Sequence, residues 1–130
     1  MPSLRADISF ENERFTTPNV KYSAANGGYF VEGVSDDGKR KLSLWSLTKF
    51  DVTRTYQLVP HLPNDGEARL VYERPTSSIG QFNFYSDRGE LTFITEIGAL
   101  HGRYQSFSNA SPGNYPATEI NGTFRVGNLP

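Results

Sequence analysis

The sequence predicts an all-β domain, a mostly antiparallel β-sandwich or flattened β-barrel of about ten short strands with little or no helix. Strand-like segments recur about every ten residues and are separated by turn residues, a spacing typical of sandwiches and barrels. Nine Phe, seven Tyr and one Trp are present but only one Met, and a composition rich in aromatic and β-branched residues favours strands. Near the C-terminus, short alternating segments start or break at glycines, which indicates the closing strands of such a domain.

The length, charge and cysteine content of the chain limit the kinds of protein it can be. The 130 residues fit one domain spanning 1–130, because domains cluster near about 100–150 residues. We expect residues 1–4 to be disordered or foreign to the native protein. The 13 basic and 14 acidic side chains nearly cancel, so the concentrated positive face that a nucleic-acid partner needs is missing. Cysteine is absent, which excludes disulfides, thiolate zinc sites and cysteine nucleophiles.

No apolar run reaches the length of a membrane-spanning helix, so no transmembrane segment is predicted. Residues 1–4 also lack the basic start and apolar stretch of a signal peptide. From these features alone, the protein is either cytoplasmic or exported by a signal that lies outside this sequence.

The first half of the chain predicts strands joined by hairpin turns. Residues 5–10 alternate and return through a tip at 11–13, and a strand at 20–24 follows. Turns at 26–28 and 36–38 contain Asn, Asp and Gly, which adopt positive φ at low cost, and they bound strands at 29–35 and 40–47. Residues 48–54 are ambiguous, because Leu44, Leu47 and Phe50 have helical spacing and a short turn of helix is an alternative.

The second half predicts strands at 55–59, 68–72, 81–85, 91–94, 101–107 and 118–126. Gly122 interrupts the last of these, and a glycine inside a strand usually marks a bulge or a bend, so we predict an irregularity there. The core is expected to come from side chains of one parity along these strands. Its predicted members are Ile8, Phe10, Leu42, Leu44, Leu70, Phe82, Phe84, Leu91, Phe93, Tyr104 and Phe124.

The sequence contains no constellation that demands a particular chemistry. Its two histidines are His61 and His101, whereas a zinc site needs three or four ligands, so both are expected at the surface and no metal is predicted. The Asp-Gly segments match turns rather than a calcium loop. A nucleophile elbow, a phosphate-binding loop and a dinucleotide fingerprint are all missing. We therefore predict no catalytic residue, no cofactor and no enzymatic activity.

Two aromatic side chains are the candidates for ligand contacts. By alternation, Trp45 falls on the face opposite Leu44, and Tyr85 on the face opposite Phe84. Exposed rings can stack on sugars or anchor a protein partner, so we predict a site of Trp45 and Tyr85 with Arg103 as a polar neighbour. The alternative is that a second sheet or a loop covers the rings, since Trp is highly buried on average.

The C-terminal part of the chain carries a pattern of glycines and apolar residues. It reads Gly89-x-Leu91-x-Phe93-Ile94-Thr95, then Gly102-x-Tyr104, then Ile120-Asn121-Gly122-Thr123-Phe124-x-Val126. The pattern resembles a family of uncharacterised all-β domains in secreted proteins and lipoproteins of Bacteroidota. That resemblance implies an extracytoplasmic location, in the periplasm or at the cell surface, with a lipid anchor on the native protein as one form. It implies no activity.

Together these observations lead to one expected function and one alternative. The expected function is that of a non-enzymatic, exported domain that binds a glycan or a protein of the cell envelope. The alternative is a small-molecule carrier with a ligand cavity inside a calycin-like β-barrel, since a barrel of this size can enclose one ligand. An enzyme has the least support, and it would need a cleft with two close carboxylates or an acid beside His101. The sequence does not indicate an oligomeric state.

Overall fold

A computed structural model describes residues 2–9, 14–25, 27–75, 81–108 and 118–127. Within those ranges the chain forms strands and no helix, which confirms the predicted fold class. The strands account for about two thirds of the described residues. They are β1 (Ser3–Ile8), β2 (Phe15–Thr17), β3 (Val20–Ala25), β4 (Gly28–Val34), β5 (Lys41–Ser46), β6 (Tyr56–Leu58), β7 (Glu67–Pro75), β8 (Gln81–Tyr85), β9 (Arg88–Ile94), β10 (Ala99–Ser108) and β11 (Thr118–Gly127).

The strands join in one nearly closed, barrel-like mixed sheet of 11 strands. Their order is β2-β1-β11-β10-β9-β6-β7-β5-β4-β3, and β8 also pairs with β7. The pairing of β6 with β7 is parallel, whereas the other ladders are antiparallel. One edge of β7 pairs with β6 at its start and with β8 along its later residues. The long β7 therefore connects the two halves of the barrel wall.

The seam of the barrel lies between β2 and β3, the two end strands of the sheet, which are consecutive in the chain. The Thr17 hydroxyl donates a hydrogen bond of 2.6 Å to the carbonyl of Val34. The amide of Val34 in turn donates to the carbonyl of Asn19 across 3.0 Å. These bonds fasten the link between β2 and β3 to the end of β4, and no ladder pairs β2 with β3 among the described residues.

The predicted hairpins are confirmed, because β3 pairs with β4 and β4 pairs with β5. Gly27 and Gly38 have φ of 78° and 75°, values that glycine adopts without steric cost. The Ser35 hydroxyl and the Lys39 amide hydrogen-bond to the Asp37 carboxylate at 2.6 and 2.9 Å. These bonds, led by the one from Ser35, lower the pKa of Asp37. The ionised carboxylate therefore holds this turn together.

The ambiguous segment 48–54 is a loop with turns, not a helix. The Tyr22 hydroxyl accepts a hydrogen bond of 3.0 Å from the Phe50 amide, and the Tyr56 hydroxyl accepts one of 2.8 Å from the Asp51 amide. Phe50 itself is buried, with its ring centroid 5.3 Å from that of Tyr56. Tertiary contacts thus bring Phe50 into the core without a helical turn.

The core occupies the interior of the barrel, as the parity of the strands predicts. Phe93 is partly buried against it, while Phe10 and the side chain of Phe82 lie outside the described part of the chain. Residues 3 and 4 are ordered, because both belong to β1 and Leu4 is only 1% exposed, while the alternative that residues 1–4 are foreign to the native protein stays a prediction. The predicted core residues that are buried are Ile8, Leu42, Leu44, Leu70, Phe84, Leu91, Tyr104 and Phe124.

The prediction of an irregularity at Gly122 is wrong. β11 runs without interruption through this residue, which pairs with Ala6 on one side and Tyr104 on the other. Glycine is required there for space, because a Cβ atom would lie 1.8 Å from the Arg5 carbonyl oxygen and 2.6 Å from the Tyr104 hydroxyl. That hydroxyl donates a 2.6 Å hydrogen bond to the same carbonyl. Burial raises the pKa of Tyr104, so the phenol remains protonated and able to donate.

A reciprocal arrangement exists two residue pairs further along the same ladder. Gly102 of β10 pairs with Phe124 of β11, and a Cβ atom on Gly102 would lie 2.4 Å from the Phe124 ring. Each glycine therefore lies under an aromatic ring of the opposite strand. The glycines and aromatic residues of the C-terminal pattern serve packing, and none of these contacts requires a ligand.

Candidate ligand-binding face

The outer surface of β4, β5, β7 and β8 presents both predicted aromatic residues, with β7 between their strands. Alternation places them there, since Leu42, Leu44 and Ser46 of β5 point inward and are buried. In the ladders, Trp45 pairs with Phe30 and with Arg69, and Tyr85 pairs with Val71. We define the aromatic face by seven residues of this surface. They are Phe30, Glu32, Ser43, Trp45, Arg69, Val71 and Tyr85.

Trp45 is half-buried at the centre of the aromatic face. Its indole lies directly over the backbone of Gly28, where a Cβ atom would come within 2.0 Å of the indole Nε1. Phe30 is its neighbour on β4 and is also half-buried. Trp45 is thus supported by its own sheet, and part of its ring remains open to solvent.

Tyr85 is 41% exposed and carries a cation above its ring. The Arg69 guanidinium lies 4.9 Å from the Tyr85 ring centroid, in the geometry of a cation–π contact. Arg69 forms no hydrogen bond or ion pair with any other residue that the structure describes. Its Nε is shielded from solvent and lacks an acceptor among those residues. A half-buried guanidinium whose donors lack acceptors loses hydration free energy, so Arg69 is suited to bind a ligand that provides a hydrogen-bond acceptor.

A groove of about 280 Å³ runs across the aromatic face. The register places Arg69 and Glu32 on opposite sides of β5, with Trp45 and Ser43 between them. The Glu32 carboxylate lies 4.0 Å from the ammonium of Lys41, which is closer, at 3.2 Å, to Glu73. The groove therefore has a guanidinium on one side, a carboxylate on the other and an indole between them.

Arg103 lies elsewhere, on the outer surface of β9, β10, β11 and β1. Three strands, β9, β6 and β7, lie between its strand and that of Trp45. The structure therefore does not bring Arg103 together with Trp45 and Tyr85. The polar neighbour of these two rings is Arg69. A second groove of about 480 Å³ surrounds Arg103. The polar side chains that line it are those of Arg5, Asp7, Glu90, Thr92, Arg103, Gln105, Asn121 and Thr123.

The carboxylates of this second groove already have partners. The Asp7 carboxylate accepts a hydrogen bond of 2.6 Å from Arg14 and lies 4.0 Å from Arg5. The Glu90 carboxylate accepts a bond of 3.4 Å from Gln57. These groups form a solvated network that includes no aromatic platform. The second groove is therefore the weaker candidate for a binding site.

An acid does lie beside His101, the feature that would favour an enzyme. The His101 Nδ1 is 3.4 Å from a Glu96 carboxylate oxygen, a contact without hydrogen-bond geometry. The same carboxylate accepts a hydrogen bond from Arg125. No described hydroxyl hydrogen-bonds to His101, whereas a nucleophile and its base must lie within hydrogen-bond reach. The cluster therefore resembles a surface charge network more than a catalytic one. His61 is exposed, as predicted.

Comparisons with protein-family models, with curated proteins and with solved structures find no significant match. Among the residues that the structure describes, no group of three or more His, Asp or Glu side chains is placed to hold a metal ion. The same residues include no helix with the length and apolar character needed to cross a membrane. The resemblance to the Bacteroidota domains remains a prediction.

Sequence reasoning proposed Trp45 and Tyr85 for this face but did not include Arg69 and Phe30. The alternation of 68–72 was a usable signal, since it places Arg69 opposite the core residue Leu70. The missing information was strand order. β7 pairs with β5 although β6 lies between them in the chain, so the neighbours of Trp45 are not its neighbours in sequence.

Proposed function

We propose that this domain is a non-enzymatic glycan-binding module of the cell envelope, with the aromatic face as its binding surface. The observation that carries the proposal is the placement of Trp45 and Tyr85 on one outer face, on either side of Arg69. Aromatic rings provide flat apolar surface with a polar edge, which suits the faces of sugar rings. The groove beside Trp45, lined also by Glu32, Ser43 and Arg69, adds charged and hydroxyl groups that can hydrogen-bond to sugar hydroxyls. The envelope location rests on the family resemblance alone.

The carrier alternative has less support. The barrel interior holds packed side chains, including the rings of Phe50, Tyr56 and Phe93, whose centroids lie 5.3 to 6.0 Å apart. The two grooves described above both open on the outer surface and are lined by outward-pointing side chains. A ligand is therefore better accommodated on the wall than inside it.

Trp45 provides a direct test, because it is the one Trp in the sequence. Excitation selective for tryptophan reports the aromatic face and no other part of the protein. We expect a glycan from a panel of envelope and plant polysaccharides to change Trp45 fluorescence in a saturable titration. Tyr85→Ala should weaken that binding by about 30-fold, since loss of a central aromatic contact often costs about 2 kcal/mol or more.

Variants of other residues keep this test specific. Trp45→Ala removes the fluorophore, so its binding is measured by calorimetry; because it also exposes Gly28, a loss of binding counts only if urea denaturation followed by circular dichroism shows a folded protein. Arg103→Ala lies in the second groove and should leave the titration unchanged. If Arg103→Ala abolishes binding while Tyr85→Ala does not, the site is the second groove. Binding to envelope proteins, with no response to any glycan, would reject a glycan module.

A further inference from the structure

We infer that the ligand of the aromatic face carries a carboxylate, and that the bound sugar is a uronic acid. This inference rests on the proposed function and adds the chemical class of the sugar. Its starting point is Arg69, the cation of the face that pairs with Trp45 and lies over Tyr85. In the described part of the chain, Arg69 stacks over Tyr85 at 4.9 Å and has no carboxylate partner.

The carboxylates of Glu32 and Glu73 do not pair with Arg69, because both lie beside Lys41. Its ammonium is 3.2 Å from Glu73 and 4.0 Å from Glu32. Both carboxylates are thus held on the far side of the face from the Arg69 guanidinium. An unpaired guanidinium offers planar donors whose geometry matches a carboxylate, and such charge-assisted bonds are about twice as strong as neutral ones.

The polarity of the groove fits one orientation of a uronic acid. A carboxylate directed at Arg69 would place the sugar ring over the half-buried Trp45 indole. The hydroxyls of the ring would then meet Ser43 and the Glu32 carboxylate on the other side of β5. A carboxylate can only accept hydrogen bonds, so Glu32 favours the hydroxyl end of the sugar and repels the acidic end. The two charged groups together orient the ligand.

An acidic peptide is the competing source of a carboxylate. The face favours a sugar, because its polar groups and its rings share one shallow groove of about 280 Å³ rather than a set of separated side-chain pockets. The choice can be tested with a poly-glutamate peptide beside the sugar probes.

The experiment measures Trp45 fluorescence with oligogalacturonate, oligomannuronate and the methyl ester of each. The esters keep the ring hydroxyls and remove the charge. We expect at least one acidic probe to bind about tenfold or more tightly than its ester, with an affinity that falls as salt is added. Arg69→Gln should remove that preference, and Arg69→Lys should keep part of it, because lysine retains the charge without the planar fork.

Matched variants separate a local effect from a general effect of charge. Arg103→Gln removes the same charge in the second groove and should keep the preference for the acid. Glu32→Gln removes a carboxylate that repels the acidic end, so it should not weaken the binding of the acid relative to that of its ester. Urea denaturation of each variant confirms that it is folded.

The outcomes distinguish this inference from the proposed function. Equal, Tyr85-dependent binding of acid and ester, or of neutral glycans alone, would overturn the uronic acid and leave the glycan module in place. Arg69-dependent capture of poly-glutamate without binding of any glycan would overturn both. If the preference for the acid persists in Arg69→Gln, Arg69 is not its cause and the inference is wrong.

Discussion

Gly122→Ala is expected to destabilise the domain by at least about 3 kcal/mol, beyond the usual range for an added methylene. The new methyl group would lie 1.8 Å from the Arg5 carbonyl oxygen, which is backbone and not the end of a flexible side chain. Arg5 belongs to β1, and β1 pairs with β11 from Ser3 to Ile8. The clash can be relieved only if these two strands separate, which also breaks the Tyr104 hydrogen bond to the same carbonyl.

Gly127→Ala is the matched control for this prediction. Gly127 lies in the same strand, but no atom would come within 4 Å of its Cβ. We expect its free energy of unfolding to stay within about 0.5 kcal/mol of the parent, as is usual for surface substitutions. Urea denaturation followed by circular dichroism measures both variants. Equal stability of the two would show that β1 and β11 do not approach as closely as the structure indicates.

Much of the fold could be predicted because its signals are local. Alternation along each strand separates inward from outward residues, and this placed Leu42 and Leu44 inside and Trp45 outside. Asn, Asp and Gly at 26–28 and 36–38 encode turns by their own backbone preferences. Such features need no knowledge of distant residues. The same alternation includes Leu4, which continues the inward parity of Ile8 and would have extended β1 to its observed start.

The parts that sequence reasoning missed depend on contacts between distant residues. Gly122 was predicted to form a bulge, which is a property of a single strand. The structure shows that glycine is needed there because the Tyr104 hydroxyl and the Arg5 carbonyl leave no space for a Cβ atom. Arg69 was missed because the pairing of β7 with β5 is set by the whole barrel and not by the order of strands in the chain. Register across nonconsecutive strands is the information that alternation alone does not contain.

The short strand β6 is the second place where one side chain should contribute strongly to the free energy of unfolding. It pairs with β9 only at Tyr56 and Gln57, and with β7 only at Gln57 and Leu58. So few ladder bonds cannot hold the barrel wall together without packing. The Tyr56 ring supplies that packing, being 1% exposed and in edge contact with Phe50 and Phe93 at centroid distances of 5.3 and 6.0 Å.

Tyr56→Ala is therefore expected to lower the free energy of unfolding by about 3–5 kcal/mol, the range for deleting a buried aromatic ring. Tyr56→Phe is the matched control, because it keeps the ring and removes only the hydroxyl that accepts a 2.8 Å bond from the Asp51 amide. Its cost should be about 0.5–1.5 kcal/mol. Amide hydrogen exchange adds a local measurement, in which Tyr56→Ala should lose protection first in β6 and at the start of β7. If both variants lose the same small amount of stability, the hydroxyl and not the ring holds β6 in the wall, and the packing argument for this strand is wrong.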